Sequence, residues 1–273
     1  MIRSVAAAIC LCLAAPGASA ADPVAFVADV HGNATIEGDG KVRFLGELAR
    51  GTKLLLGSGS VVVVTYAATG TEYTTRGPGE FSVTDGALTA EKGAAPQRRV
   101  VSRLSDPTVV ASAAKLATAS TRMRGLKVDE AALRLAYPVD TRITTLRPTL
   151  RWQGGSDGME VRVVDTTGKV VWKGKAATTM IVPDLRLQPG MRYTWSLVPA
   201  QGAATEARFE TLGREAIARV ERSQNAAKAF PDRVMHALLL QELGATQEAQ
   251  DAWGRLAGER PDLPELANLA PAP

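Results

Sequence analysis

The chain of 273 residues holds only two cysteines and two histidines, and aromatic residues make up just 5% of it. Each scarcity excludes something. His31 and His236 stand almost the whole chain apart, so a multi-histidine metal site within one small module has little to build on. Cys10 and Cys12 both fall in an apolar run from Val5 to Leu13, with Arg3 before it and Pro16, Gly17 and Ala18-Ser19-Ala20 after it. That order of parts reads as a secretory signal peptide, residues 1–20, cleaved before Ala21, and its apolar run is far short of the roughly 20 residues needed to cross a bilayer. Both cysteines leave with the leader. The mature chain then has no thiol for a disulfide, for nucleophilic catalysis or for a zinc site. No later run reaches membrane-spanning length, Val61-Val62-Val63-Val64 being a four-residue strand core. The expectation is an exported, periplasmic protein without a transmembrane segment, at most peripheral to the envelope.

What is present is ordinary globular material, 45% hydrophobic and 22% charged, with 25 glycines and 15 prolines. At this length two or three small cores are expected in place of one large one. From Val24 to about Ala90 short β-rich runs alternate with glycine turns such as His31-Gly32, Gly38-Asp39-Gly40, Gly57-Ser58-Gly59 and Asp85-Gly86, which predicts a small sandwich or roll of about seven strands. Within it stand Val27-Ala28-Asp29-Val30-His31-Gly32-Asn33-Ala34, then Leu45-Gly46-Glu47-Leu48-Ala49-Arg50-Gly51-Thr52-Lys53-Leu54, then Ser58-Gly59-Ser60-Val61-Val62-Val63-Val64, and finally Gly77-Pro78-Gly79-Glu80-Phe81. In that order they resemble the FecR family of periplasmic domains, over residues 21–92. Membrane-spanning members pass a signal to an anti-sigma segment, so the resemblance implies a signalling accessory as an alternative role.

From Glu91 to Lys127 eight basic residues face only Glu91 and Asp106. Residues 93–136, where Gly93, Ala94, Ala95, Pro96 and the Ala/Ser/Thr run from Ala111 to Thr121 hold few large apolar side chains, read as a basic linker. The competing reading is an anion-binding patch in which Arg98, Arg99, Arg103, Arg122 and Arg124 meet phosphates of envelope headgroups. Nucleic acid is not expected as a partner, since no aromatics are interleaved to stack bases.

Strands resume near Tyr137. Arg192 to Val198 places Tyr193, Trp195 and Leu197 on one face and Arg192, Thr194 and Ser196 on the other. Pro148-Thr149-Leu150-Arg151-Trp152 and Leu187-Gln188-Pro189-Gly190-Met191-Arg192-Tyr193-Thr194-Trp195 resemble the corresponding strands of fibronectin type III and related immunoglobulin-like sandwiches, over residues 137–212. The resemblance implies that Trp152 packs across the sandwich from Tyr193 and Trp195. An exposed aromatic platform of Trp152, Trp172 and Trp195 for glycan or cell-wall binding is the alternative.

Residues 213–262 are predicted helical. Leu243-Gly244, Ala249, Trp253 and Pro261 resemble one tetratricopeptide repeat, and a single repeat cannot bury both its faces. It must lean on a β neighbour, on the preceding helix or on a partner. Residues 263–273 are expected to be a flexible tail. No Ser-His-carboxylate grouping, phosphate loop or calcium loop emerges, so no catalytic residue, cofactor site or metal site is assigned. The fold class expected is mainly β with a small α-helical C-terminal region: a β-sandwich or roll, a fibronectin-like sandwich and a helical hairpin. The expected role is non-enzymatic binding or scaffolding of a protein or envelope polymer, through the β modules and the helical end. Trp253 and the five arginines named above are the candidate contacts.

Overall fold

A computed structural model describes residues 22–66, 68–100, 133–155, 158–176, 178–199 and 203–270. The first module carries β1 (Pro23–His31), β2 (Ala34–Ile36), β3 (Gly40–Lys41), β4 (Glu47–Ala49), β5 (Lys53–Leu56), β6 (Val61–Tyr66), β7 (Thr71–Arg76), β8 (Gly79–Val83), β9 (Leu88–Lys92) and β10 (Gln97–Val100). They form two five-stranded sheets, ordered β10-β7-β6-β1-β4 and β3-β2-β5-β8-β9, whose facing sides enclose Val27, Leu48, Leu54, Val62, Val64, Tyr66 and Phe81. Turns between the sheets are tight enough to exclude side chains. A Cβ at Gly77 would lie 1.9 Å from the Gly57 carbonyl oxygen, so this approach of two backbones requires glycine.

The second module carries β11 (Arg134–Tyr137), β12 (Thr141–Ile143), β13 (Leu150–Gln153), β14 (Glu160–Asp165), β15 (Val170–Lys175), β16 (Met180–Ile181), β17 (Arg192–Val198) and β18 (Thr205–Thr211). A three-stranded sheet, β11-β13-β16, packs on a five-stranded one, β12-β18-β17-β14-β15. Trp152 from the first sheet and Trp195 from the second meet with ring centroids 6.4 Å apart, and the Trp195 indole donates to the Pro138 carbonyl at 2.7 Å. The strict alternation along β17 thus does what the sequence pattern requires: Tyr193, Trp195 and Leu197 are buried while their neighbours face out.

Four helices close the described chain: α1 (Arg214–Ala226), α2 (Phe230–Glu242), α3 (Thr246–Glu259) and α4 (Pro264–Leu269). Their apolar stripes converge with the outer face of the first module. Phe26, Ala28, Phe44, Leu45 and Val63 join Val220, Phe230, Val234, Leu238, Trp253, Leu256 and Leu266 in one core. The helical end therefore leans on the N-terminal β module, between 157 and 240 residues back along the chain, and on its own preceding helix. This accounts for β1 and β6, which are buried along both faces and whose stretches Val24–Ala28 and Val61–Val64 read as unbroken apolar runs.

Three expectations change. Residues 263–270 are not a loose tail, because α4 inserts Leu266, with Leu263 just ahead of it, into the helical core. The linker is shorter than 93–136, since Gln97–Val100 pairs with β7 and Arg134–Tyr137 with β13. The helical end does not present its apolar groove to solvent. Its groove is filled.

Candidate functional site

Polar side chains lock each junction between modules. On the first-module side, the Arg99 guanidinium donates to Glu72 Oε1 at 2.8 Å and to Asp232 Oδ1 at 2.8 Å, while Asp232 Oδ2 accepts the Ala229 N–H and caps α2. Glu72 is buried, its Oε2 has no partner among the described residues, and desolvation raises its carboxyl above the usual range against the pull of Arg99. Just past the end of α3, Arg260, only 8% exposed, donates to Asp29 Oδ1 at 2.5 Å, to the Val30 carbonyl at 2.9 Å and to both carboxylate oxygens of Asp262 at 2.8 Å. The His31 ring nitrogen lies 2.9 Å from the same guanidinium and 3.3 Å from Asp29, so His31, Asp29 and Arg260 form one cluster.

On the second-module side, Glu248 of α3 accepts from the Tyr137 hydroxyl at 2.8 Å and from the Thr144 N–H at 3.1 Å. Gln247 accepts from the Val139 N–H and donates to the Ala136 carbonyl, both at 2.8 Å. Burial and the Glu248 charge push the Tyr137 phenol well up, which keeps it a donor. The α2–α3 turn completes the joint. The Arg142 N–H donates to the Gly244 carbonyl at 3.0 Å and its guanidinium to the Leu243 carbonyl at 3.3 Å. Gly244 has φ of 78°, a conformation that favours glycine.

These joints leave the outer face of the β12-β18-β17-β14-β15 sheet uncovered among the described residues. Its outward positions, read from the register, are Arg142 on β12, Glu206, Arg208 and Glu210 on β18, Arg192, Thr194 and Ser196 on β17, Glu160 and Arg162 on β14, and Lys173 and Lys175 on β15. Six cations meet three carboxylates. At the helix-turn end the face dips into an open groove of about 510 Å³, lined by Arg142, Arg192 and Arg208 with Thr194, Glu210 and Gly244 among others. Glu210 is shared by Arg142 and Arg192 at 3.5 Å each, long for ion pairs, while Arg208 has no ionic partner among the described residues. Asp140 and Asp165 also line the groove, but the Asp165 Oδ1 is engaged by the Thr167 N–H and hydroxyl and by the Lys169 N–H, which hold that carboxyl below its usual range. Further along, Arg162 sits directly opposite Lys173, a like-charge pair that a sheet ordinarily avoids.

The contacts expected from sequence fare differently. Trp253 is 1% exposed within the helical core, its indole donating to Gln241, so it offers no surface to a partner. Arg99 is spent on the Glu72–Asp232 clamp, and Arg98 is exposed on β10. Arg103, Arg122 and Arg124 lie outside the described residues. Trp152 and Trp195 are core side chains and Trp172 packs partly against them, which removes the aromatic platform. His236 sits on α2 with Nδ1 3.2 Å from the Ser223 hydroxyl, its pKa lowered by burial. The basic face was missed because its charges alternate with buried residues along several strands, and a count by segment averages the two sides. The period-2 pattern of β14 and β17 carried the signal.

Among the described residues no helix is long and apolar enough to cross a membrane, and no three metal-ligating side chains of His, Cys, Asp or Glu gather. No family model matches the chain, and no curated protein sequence matches it. Among solved structures, CopC from Methylosinus trichosporium OB3b is similar at 16% identity over 30% of this chain and 96% of that one, with a TM-score of 0.22, a likeness too slight to bear on fold or function.

Proposed function

We propose that this is a non-enzymatic binding or scaffold protein of the bacterial envelope, exported to the periplasm by its N-terminal leader and engaging its partner through the outer face of the second β module. The observation that carries this reading is the open, cation-rich sheet face with its groove at the α2–α3 turn. The helices serve as an internal joint that fixes the orientation of the two β modules, since their apolar side is consumed by the first module and their polar side by the second. A face held rigidly from behind loses little order when it binds.

Site-specific photo-crosslinking tests this. A crosslinker placed at Ser196 on the open face is expected to form adducts with an envelope component in intact cells, and one at Glu221 on the exposed side of α1 is expected to form none. Adducts concentrated on α1, or hydrolytic turnover of an envelope polymer by the purified chain, would overturn the reading.

A further inference from the structure

The ligand of this face is open to a narrower identification, which rests on the reading just given. The cations are not spread at random. Arg142, Arg192 and Arg208 stand on three adjacent strands around Glu210, with Asp140 and Asp165 on the rim of the same groove, and Arg162, Lys173 and Lys175 occupy the two strands beyond them. Lys173, Lys175 and Arg208 have no ion pair among the described residues; of the two carboxylates on the distal strands, Asp165 is turned to its own β14–β15 turn, and Glu160 is held by Arg162 with Lys173 and Lys175 nearby and lies below its usual pKa range. Placing Arg162 opposite Lys173 costs the empty sheet stability, and an anion between them reverses that cost.

We infer that this face binds a linear, non-peptide polyanion, whose phosphate or carboxylate groups run across the strands from the arginine groove to the β15 lysines. Three features select that occupant. The span from β12 to β15 crosses four interstrand gaps, about 19 Å, long enough for several charged repeats. Neighbouring strands of a sheet turn by roughly 20–25° each, so the two ends of the face do not share a plane, and a flexible chain follows that twist where a flat bilayer cannot. An extended acidic peptide ordinarily docks by pairing its backbone with a free strand edge; the free edges here are β12 and β15, at opposite sides of the face, while β18, β17 and β14 between them are each hydrogen-bonded on both sides, so a peptide paired along either edge reaches only one of the two clusters. Across its inner strands the face therefore offers charge and guanidinium forks without backbone partners. Val164, beside Thr194 of the groove and two positions along β14 from Arg162, gives a polymer backbone an apolar step between the two clusters.

Calorimetric titration of the whole chain tests the inference with four probes: polyphosphate, alginate, poly-L-glutamate and phosphatidylglycerol vesicles. Binding of polyphosphate or alginate is expected, and which of the two binds tighter names the oxyanion. Raising the salt should weaken it steeply, and Arg208→Glu and Lys173→Glu should each weaken it about tenfold. Arg50→Glu, on the far module and paired with Asp85, controls for net charge and should leave the affinity within about twofold. Circular dichroism of each variant verifies that the fold is kept, as expected for exposed side chains. The inference falls if neither polymer binds, if vesicles or poly-L-glutamate bind as tightly, or if the Arg50 variant loses as much as the others. If no polyanion binds while the Ser196 crosslinks still form with a protein, this inference fails alone; if the crosslinks are absent too, the binding reading fails with it.

Discussion

Arg260 holds together groups that would otherwise repel or stand unpaired. Its guanidinium is almost fully enclosed, lies over the Phe230 ring at 5.1 Å, and neutralises Asp29, whose side chain is equally hidden. Replacing Arg260 with Met leaves Asp29 buried and uncompensated, which should cost about 3–5 kcal/mol in denaturant unfolding. Adding Asp29→Asn should recover a substantial part of that loss, and a double variant no better than the single one would assign the effect to lost packing instead. Glu72 behaves in the opposite sense. Its pKa lies above the ordinary 4.5, so the folded state holds its proton more tightly than the unfolded chain does. Its contribution is greatest below pH 4.5 and is lost as pH rises through the raised value. Asp262, held below its ordinary value by Arg260, contributes above that value and loses its contribution as pH falls. Comparing Glu72→Gln with the parent across pH isolates the first effect: the parent should lose ground steadily from about pH 4.5 upward and then level off. A flat difference would mean that Glu72 titrates normally.

At the scale of elements, the first-module sheet facing the helices is a core surface on both sides. Phe44, near the start of β4, packs its ring 6.0 Å from Phe230 of α2. Phe44→Ala should cost about 3–5 kcal/mol, as a central core truncation does, although an isolated sandwich would leave that side chain in water. A loss below about 1 kcal/mol would mean that helices and sheet separate readily in solution. Much of this arrangement was legible. The glycine-punctuated runs located β1, β5, β6, β8 and β9, and the Tyr-x-Trp alternation located β17 and its buried face. The pairing of the helices with a sheet so distant in sequence was not. Its trace was there in Val61 to Val64, where a half-exposed strand should alternate and this one does not, but an unbroken apolar run does not say what lies on its second side. Strand β10 went unseen for a different reason. Gln97, Arg98, Arg99 and Val100 are all exposed, so no burial pattern marks them, and their strand form comes from the β7 ladder and the Arg99 clamp.

For the whole molecule the two junctions differ in kind. The first module and the helices share one hydrophobic core, whereas the second module meets the helices through hydrogen bonds from Glu248, Gln247 and Gly244. Shared apolar burial couples unfolding more strongly than a polar seam does. Calorimetry should accordingly resolve two transitions, the first module melting with α1 to α4 and the second module melting separately. Tryptophan fluorescence can assign them, because Trp253 reports on the helices while Trp152, Trp172 and Trp195 all lie in the second module. A single transition in which all four indoles change together would show that the polar seam is as cooperative as the core.

The bond between Arg260 and Asp29 joins residues 231 positions apart. Chains are made from the N-terminus onward, so the first module emerges with Phe26, Phe44 and Val63 unmatched and waits for α1 to α4 to cover them. Until those helices arrive, half of a core is a sticky surface. The order of synthesis therefore sets a window in which this protein needs a chaperone, and any truncation that removes α2 to α4 makes that window permanent.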